Sequence, residues 1–206
     1  NYWIVGISAL MAGAIALWFI LQEFFGQTKK ITLEEAMKVG ESQIIEFKSS
    51  YYWSREGNIY NEDLRLSVLK SIAGFLNAKG GTLFIGVTED TQPPTVCGLK
   101  EDIEYFKKIK DGRPLNPRDV MQCNLRDLIT TRIGSQFAPL ITDSLEGLDG
   151  QPYWMVVVDE SPEPAFLRWK AKGESQEQKN FYVREGPKTS NLDNESTWRY
   201  IKNRWS

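Results

Sequence analysis

The stretch "NEDLRLSVLKSIAGFLNAKGGTLFIGVTED", residues 61–90, carries two hydrophobic patterns back to back. In its first part Leu64, Val68, Leu69, Ile72, Phe75 and Leu76 fall on one face at helical spacing. Glu62 and Asp63 sit in the first turn, where the positive end of the helix dipole favours them. Lys79-Gly80-Gly81 breaks the pattern, and "TLFIGV" (82–87) follows as a mostly apolar run of strand length, which reads as a buried central strand. A long helix feeding directly into such a strand predicts an α/β domain of mixed (α+β) type, with a sheet packed by helices.

The surrounding sequence extends this reading. "TLEEAMKV" (32–39) is a short amphipathic helix stopped by Gly40, and "IIEFK" (44–48) alternates as a strand. Residues 91–98, with Pro93-Pro94 and Gly98, read as a loop, and "LKEDIEYFKKIK" (99–110) as a helix. "NPRDVMQCNLRDLITTRIG" (116–134) opens with an Asn cap and Pro at the first helical position and stops at Gly134. "YWMVVVDE" (153–160) and "NFYVRE" (180–185) read as strands, and "NESTWRYIKNRW" (194–205) as a closing helix.

The first twenty-five residues are of another kind. "YWIVGISALMAGAIALWFIL" (2–21) holds no charge, and as a helix would span about 30 Å, the thickness of a bilayer core. Aromatic residues at both ends suit the two membrane interfaces, and Lys29 and Lys30 place the following chain in the cytoplasm by the positive-inside rule. The expected organisation is a transmembrane helix over 1–25, a linker and short helix over 26–38, and a cytoplasmic domain over 39–206 on a bacterial inner (cell) membrane, the bilayer being met by residues 2–25. Ser8-x-x-x-Ala12-x-x-x-Ala16 and Ala9-x-x-x-Gly13 are spacings that let helix backbones approach closely. They suit a homo-oligomer or larger membrane assembly, although Ala and Gly are also common in lone spans.

Composition narrows the chemistry. The 206 residues carry a net charge of −2, so nothing resembles a basic coat for nucleic acid. Two cysteines, Cys97 and Cys123, form no C-x-x-C pair and read as reduced thiols. There is no histidine, which excludes Ser-His-Asp and Cys-His catalysis and any histidine base or zinc ligand. What remains is carboxylate, lysine and arginine chemistry, or a metal held by oxygens.

"GESQIIEFKSS" (40–50) supplies such groups. On an extended strand Glu46 and Lys48 share a face, and Glu41, just after a glycine, can fold back toward them. Glu89 or Asp90, at the end of "TLFIGVTED", would be the third carboxylate, where open α/β sheets present their sites. Three carboxylates suit Mg²⁺ or Mn²⁺, and Lys48 could orient a water or stabilise an oxyanion. By spacing alone, E-x-K is also an ordinary solvated strand edge. Asn77 and Gly80-Gly81 read either as a phosphate cradle or as a helix end and tight turn. Tyr51, Tyr52 and Trp53 read as packing residues near the site. Lys107, Lys108, Lys110 and Arg113 form the densest basic cluster, read as a phosphate contact or a solvated helix face; "RWKAK" (168–172) is the next. Trp169 reads as a base-stacking or a packing residue.

"GESQIIEFKSSYYW", "LKSIAGFLNAKGGTLFIGVTED" and "FYVREGPKTSNL", in this order, resemble the Schlafen AlbA-type family, long labelled a DNA-binding domain; the resemblance runs from about Gly40 to Trp205. "EFKSS" and "YIKNRW" resemble its bacterial branch. Nucleases of this family cleave RNA, chiefly tRNA-like substrates, at three metal-binding acids. The resemblance maps these onto Glu41, Glu46 and Glu89, with Lys48 beside them. The family usually has Asp at the third position, so Asp90 stays an alternative metal ligand. The resemblance also implies nucleic-acid contacts at Arg184 and Lys188; Arg168 and Lys170, from the basic cluster "RWKAK", are candidate contacts by charge. The expected function is a membrane-anchored, metal-dependent endoribonuclease acting on tRNA-like or single-stranded RNA, with a role in phage defence or stress. The alternative is a tethered, non-catalytic nucleic-acid-binding or scaffold module.

Overall fold

The structure, a computed structural model, describes residues 31–107, 115–170 and 175–205. The expected span over 2–21, and Lys108, Lys110 and Arg113 of the basic cluster, lie outside these residues. No helix among those described is long and apolar enough to cross a membrane.

Helix α1, Leu33–Val39, begins at Thr32, whose hydroxyl accepts from the Glu35 N–H while the Glu35 carboxylate accepts from the Thr32 N–H. This reciprocal cap fixes the helix start, and Gly40 at φ +79° ends it. Strand β1, Ile45–Lys48, follows; then the short hairpin β2 (Trp53–Ser54) and β3 (Ile59–Tyr60); then α2, Glu62–Leu76, capped by Asn61. Strand β4, Gly81–Ile85, runs parallel to β1, so α2 is the crossover such a pair requires. The presumed loop after it contains a two-residue pairing of β5, Val87–Thr88, with β6, Thr95–Val96.

Helix α3 covers Lys100–Lys107, and α4 covers Pro117–Leu128 behind its Asn116 cap. Helix α4 runs on as a π turn over Ile129–Ile133 to Gly134, and a 3₁₀ turn spans Ser135–Leu140. Strands β7 (Ile141–Leu148) and β8 (Gln151–Val158) form a hairpin that completes a four-stranded sheet of order β1-β4-β8-β7. Strands β9 (Leu167–Trp169), β10 (Gln178–Glu185) and β11 (Lys188–Leu192) form a second, antiparallel sheet, and α5, Asn194–Trp205, closes the chain.

The C-terminal half of α2 is buried on every side, because it lies between the first sheet and the β10–β11 hairpin. Two glycines allow that closeness: a Cβ on Gly74 would sit 3.0 Å from Thr189 of the hairpin, and one on Gly81 would lie 2.4 Å from the Phe75 ring. The main core joins Leu69, Ile72 and Leu76 of α2 to Leu83, Ile85, Trp154 and Val156 of the sheet. A smaller core on the opposite face packs Leu33 and Ala36 of α1 against Ile45, Phe47, Phe84 and Tyr153. Both faces of the first sheet are thus covered, and its end strand β1 sets Ile45 and Phe47 into the smaller core. Cys97 and Cys123 are unpaired thiols.

Candidate functional site

Alternation along β1 sends Ile45 and Phe47 into the smaller core and turns Glu46 toward α2. Glu46 is therefore 5% exposed, not on a solvated edge. A carboxylate taken out of water needs compensation, and three groups supply it. The Lys48 ammonium pairs with one carboxylate oxygen, the Arg184 guanidinium with the other, and the Ser71 hydroxyl lies 3.4 Å from the first.

Arg184 is placed against expectation. A phosphate contact needs an exposed guanidinium, yet Arg184 is 2% exposed because β10 packs directly on α2. Its Nε and Nη2 donate to the Ser42 carbonyl at 3.0 and 2.8 Å, Nη2 also donates to the Ile45 carbonyl at 2.8 Å, and Nη1 donates to Thr189 Oγ1 at 3.3 Å. One side chain from the second sheet thereby fixes both Glu46 and the loop that carries Glu41.

Glu41 folds back as its spacing after Gly40 suggests, and its Oε1 accepts the Phe47 N–H at 3.1 Å. Burial, chiefly, and the neighbouring Glu46 push its carboxyl up to about 6, with Glu89 adding to the rise; the Phe47 N–H and Lys48 oppose it. Of the two candidates for the third acid, Glu89 is thus the one whose charge is felt at Glu41. Glu89 itself is exposed. Asp90 takes the Thr88 hydroxyl at 2.7 Å and lines a separate cleft.

For a hard divalent cation the donors fit in kind, and a carboxyl pushed up by burial and a neighbouring acid, as Glu41 is, is what such an ion relieves. Among the described residues, however, no three acidic or cysteine side chains lie within common ligating reach, and Glu46 already has two cationic partners.

Lys188, Arg168 and Lys170 are exposed, as a phosphate contact requires. Trp169 is half-buried with the Arg132 guanidinium 5.3 Å from its ring centre, and it walls a cavity of about 680 Å³ together with Tyr60, Arg65 and Lys170. Lys107 is exposed and paired with Glu104 at 2.6 Å. The phosphate cradle expected as one reading of "LNAKGG" is not available at Asn77. Its amide donates to the Ala165 and Tyr182 carbonyls and accepts the Ala165 N–H, all within 2.8 Å, so it ties the end of α2 to the second sheet.

Asp102, in the first turn of α3, escapes the sequence reading. It is fully buried and accepts from the Ser50 hydroxyl (2.8 Å), the Tyr52 N–H (2.6 Å) and the Trp53 N–H (3.0 Å). It thereby anchors the chain leaving β1, and burial pushes its carboxyl up. Tyr51, on that same stretch, packs in the core with its hydroxyl donating to Asn124 Oδ1 at 2.8 Å. A first-turn acid reads from sequence as dipole complementation, so nothing local marked Asp102 as a clamp.

A family model described as "Schlafen, AlbA_2" matches residues 41–193, from the first of these acids to the start of the last helix. No curated protein matches the chain. Among solved structures, the chain is similar to the DIP2311 protein from Corynebacterium diphtheriae at 19% identity, with a TM-score of 0.44, over 88% of this chain and 30% of that one. The chain thus spans about a third of that protein's length.

Proposed function

Because the chain belongs to the Schlafen AlbA_2 family, we propose that it is a nucleic-acid-binding domain that cuts RNA, tRNA-like or single-stranded, with Mg²⁺ or Mn²⁺ held by Glu41, Glu46 and Glu89. The observation that carries this reading is the mutual crowding of acids from two distant segments: Glu41 is half-buried and its carboxyl is driven up by burial, Glu46 and Glu89 together. When bound, the cation would offset the charge building on a phosphodiester and acidify a water. The remaining work falls to the chain's own side chains. Lys48, between the Glu46 carboxylate and the Phe47 carbonyl at 3.2 Å, places an ammonium beside the phosphate site. Arg184 holds Glu46 and the Glu41 loop in register from behind. Lys188, Arg168 and Lys170 offer surface cations that would position the RNA backbone.

The membrane anchor over 2–25, self-association through its small-residue stripe, and a role in phage defence or stress belong to the same proposal. The first two rest on the sequence, the last on analogy. A second reading, a tethered module that binds nucleic acid without cutting it, draws on the two cations already occupying Glu46.

The test uses the full 206-residue chain in detergent with tRNA and single-stranded RNA, in Mg²⁺ and Mn²⁺. Cleavage that falls about 100-fold or more in Glu46→Gln and Glu41→Gln, with unfolding midpoints recorded for each, supports the nuclease reading. Cleavage indifferent to both substitutions overturns it. Salt-dependent binding with no turnover selects the second reading.

A further inference from the structure

We propose that the cleft beside the acids is a subsite for one guanine base. This inference rests on the nucleic-acid reading above and adds what the site would recognise. The cleft, about 300 Å³, is lined by Ser49, Trp53, Arg55, Thr88, Asp90 and Cys97 among others. Its volume is at the lower end for small-ligand sites, enough for a base but not for a longer segment.

Its position follows from the chain. Ser49 comes directly after Lys48, and Thr88 and Asp90 flank Glu89 on either side. The cleft thus adjoins the acids along the chain, and a nucleotide whose phosphate rests at Glu41, Glu46 and Lys48 would present its neighbouring base to it.

The lining has complementary chemistry. Trp53 is half-buried and held edge-on by Tyr60, ring centres 4.9 Å apart at 65°, which leaves it a fixed aromatic wall for stacking. Asp90 brings a carboxylate, one oxygen of which takes the Thr88 hydroxyl at 2.7 Å and so sets its orientation. Guanine is the base whose pairing edge offers two adjacent N–H donors, at N1 and N2, to a single carboxylate. The Arg55 Nη2 is pinned by the Gly98 carbonyl at 2.6 Å and the Cys97 carbonyl at 3.2 Å, and lies 3.8 Å from the Glu101 carboxylate; its Nε and Nη1 face would meet the O6 and N7 acceptors. Adenine and cytosine present one amino group where guanine presents the pair, and uracil a lone imino N–H. Asp90 thus has a use apart from the metal.

The experiment is calorimetric titration of the full chain in detergent and EDTA with GMP, AMP, CMP and UMP, and with single-stranded hexanucleotides containing either one guanine or adenine in its place. With no divalent ion present, the outcome is independent of whether the protein cuts RNA. The expected result is GMP binding about tenfold tighter than the other three, a preference that disappears in Asp90→Asn. Trp53→Ala should weaken all four nucleotides together, with circular dichroism unchanged. A guanine hexanucleotide tighter than GMP identifies RNA as the source of the base; GMP equal or tighter identifies a free nucleotide. Equal affinities in the wild type, no binding at millimolar nucleotide, or a preference that survives Asp90→Asn overturns the proposal.

Discussion

Glu46, near the start of the segment 46–53, and Asp102, which clamps its far end from α3, are both buried carboxylates, and the fold treats them in opposite ways. Glu46 faces two cations, Lys48 and Arg184. Asp102 faces only neutral donors, the Ser50 hydroxyl and the N–H groups of Tyr52 and Trp53, and burial raises its pKa. Neutral donors suffice where a carboxylate only has to hold backbone in place. Formal counter-charges matter where the charge must persist inside the protein and remain available to a ligand. The difference sets the acid proposed for chemistry apart from the structural one more sharply than burial does, since burial is nearly the same for both.

The largest expected effect comes from breaking the charged solution. Arg184→Met leaves Glu46 buried with Lys48 alone and strands the Ser42 and Ile45 carbonyls, at a cost of about 3–5 kcal/mol in urea unfolding. The double change Arg184→Met with Glu46→Met should recover most of that loss, because removing both charges is far cheaper than removing one. A single substitution costing under about 1 kcal/mol would mean that the pair is solvated.

The neutral solution should break less severely. Asp102→Ala leaves three donors without an acceptor and should cost about 2–3 kcal/mol by the same measurement. Asp102→Asn retains an acceptor oxygen and should cost about 1 kcal/mol. If the amide is no milder than alanine, charge matters at Asp102 after all, and the contrast with Glu46 fails.

The smallest effect belongs to Glu41. Its folded pKa of about 6 lies above the ordinary 4.5, so its favourable share of stability is complete below about pH 4.5 and is lost as pH rises through about 6. Glu41→Gln should therefore unfold later than wild type at pH 7 in EDTA, by about 1 kcal/mol after allowing for partial exposure, and the advantage should vanish by pH 4.5. An advantage that is flat with pH would remove the crowding that supports the acid site.

What the sequence revealed and what it hid divide along locality. The end of α1, the start of α2 and both limits of the α4 stretch were legible because Gly40, Glu62-Asp63, Asn116-Pro117 and Gly134 act within a turn of where they stand. Glu41 and Glu46 could be paired because they stand only five positions apart. Strand β7 gave no signal: "ITDSLEGL" buries only Ile141 fully, and its pairing with β8 is sustained by the hairpin at Asp149-Gly150. Arg184 was misplaced for a related reason. Its burial depends on β10 packing across α2, more than a hundred residues from the carboxylate it meets, and no window along the chain contains both. The Glu89–Asp90 alternative likewise lay beyond the sequence, because only the turn after β5 makes the Glu89 charge felt at Glu41 while Asp90 lines its own cleft.

The outer side of β1 has one more consequence. It is the last strand of its sheet, and its outward backbone groups are met by charged side chains of the site: the Phe47 N–H by Glu41, the Phe47 carbonyl by Lys48, and the Ile45 carbonyl by Arg184. A bare terminal strand invites a second chain to dock along it and start an aggregate. The side chains proposed to grip a substrate therefore also act as gatekeepers against self-association, and removing them would expose this strand edge.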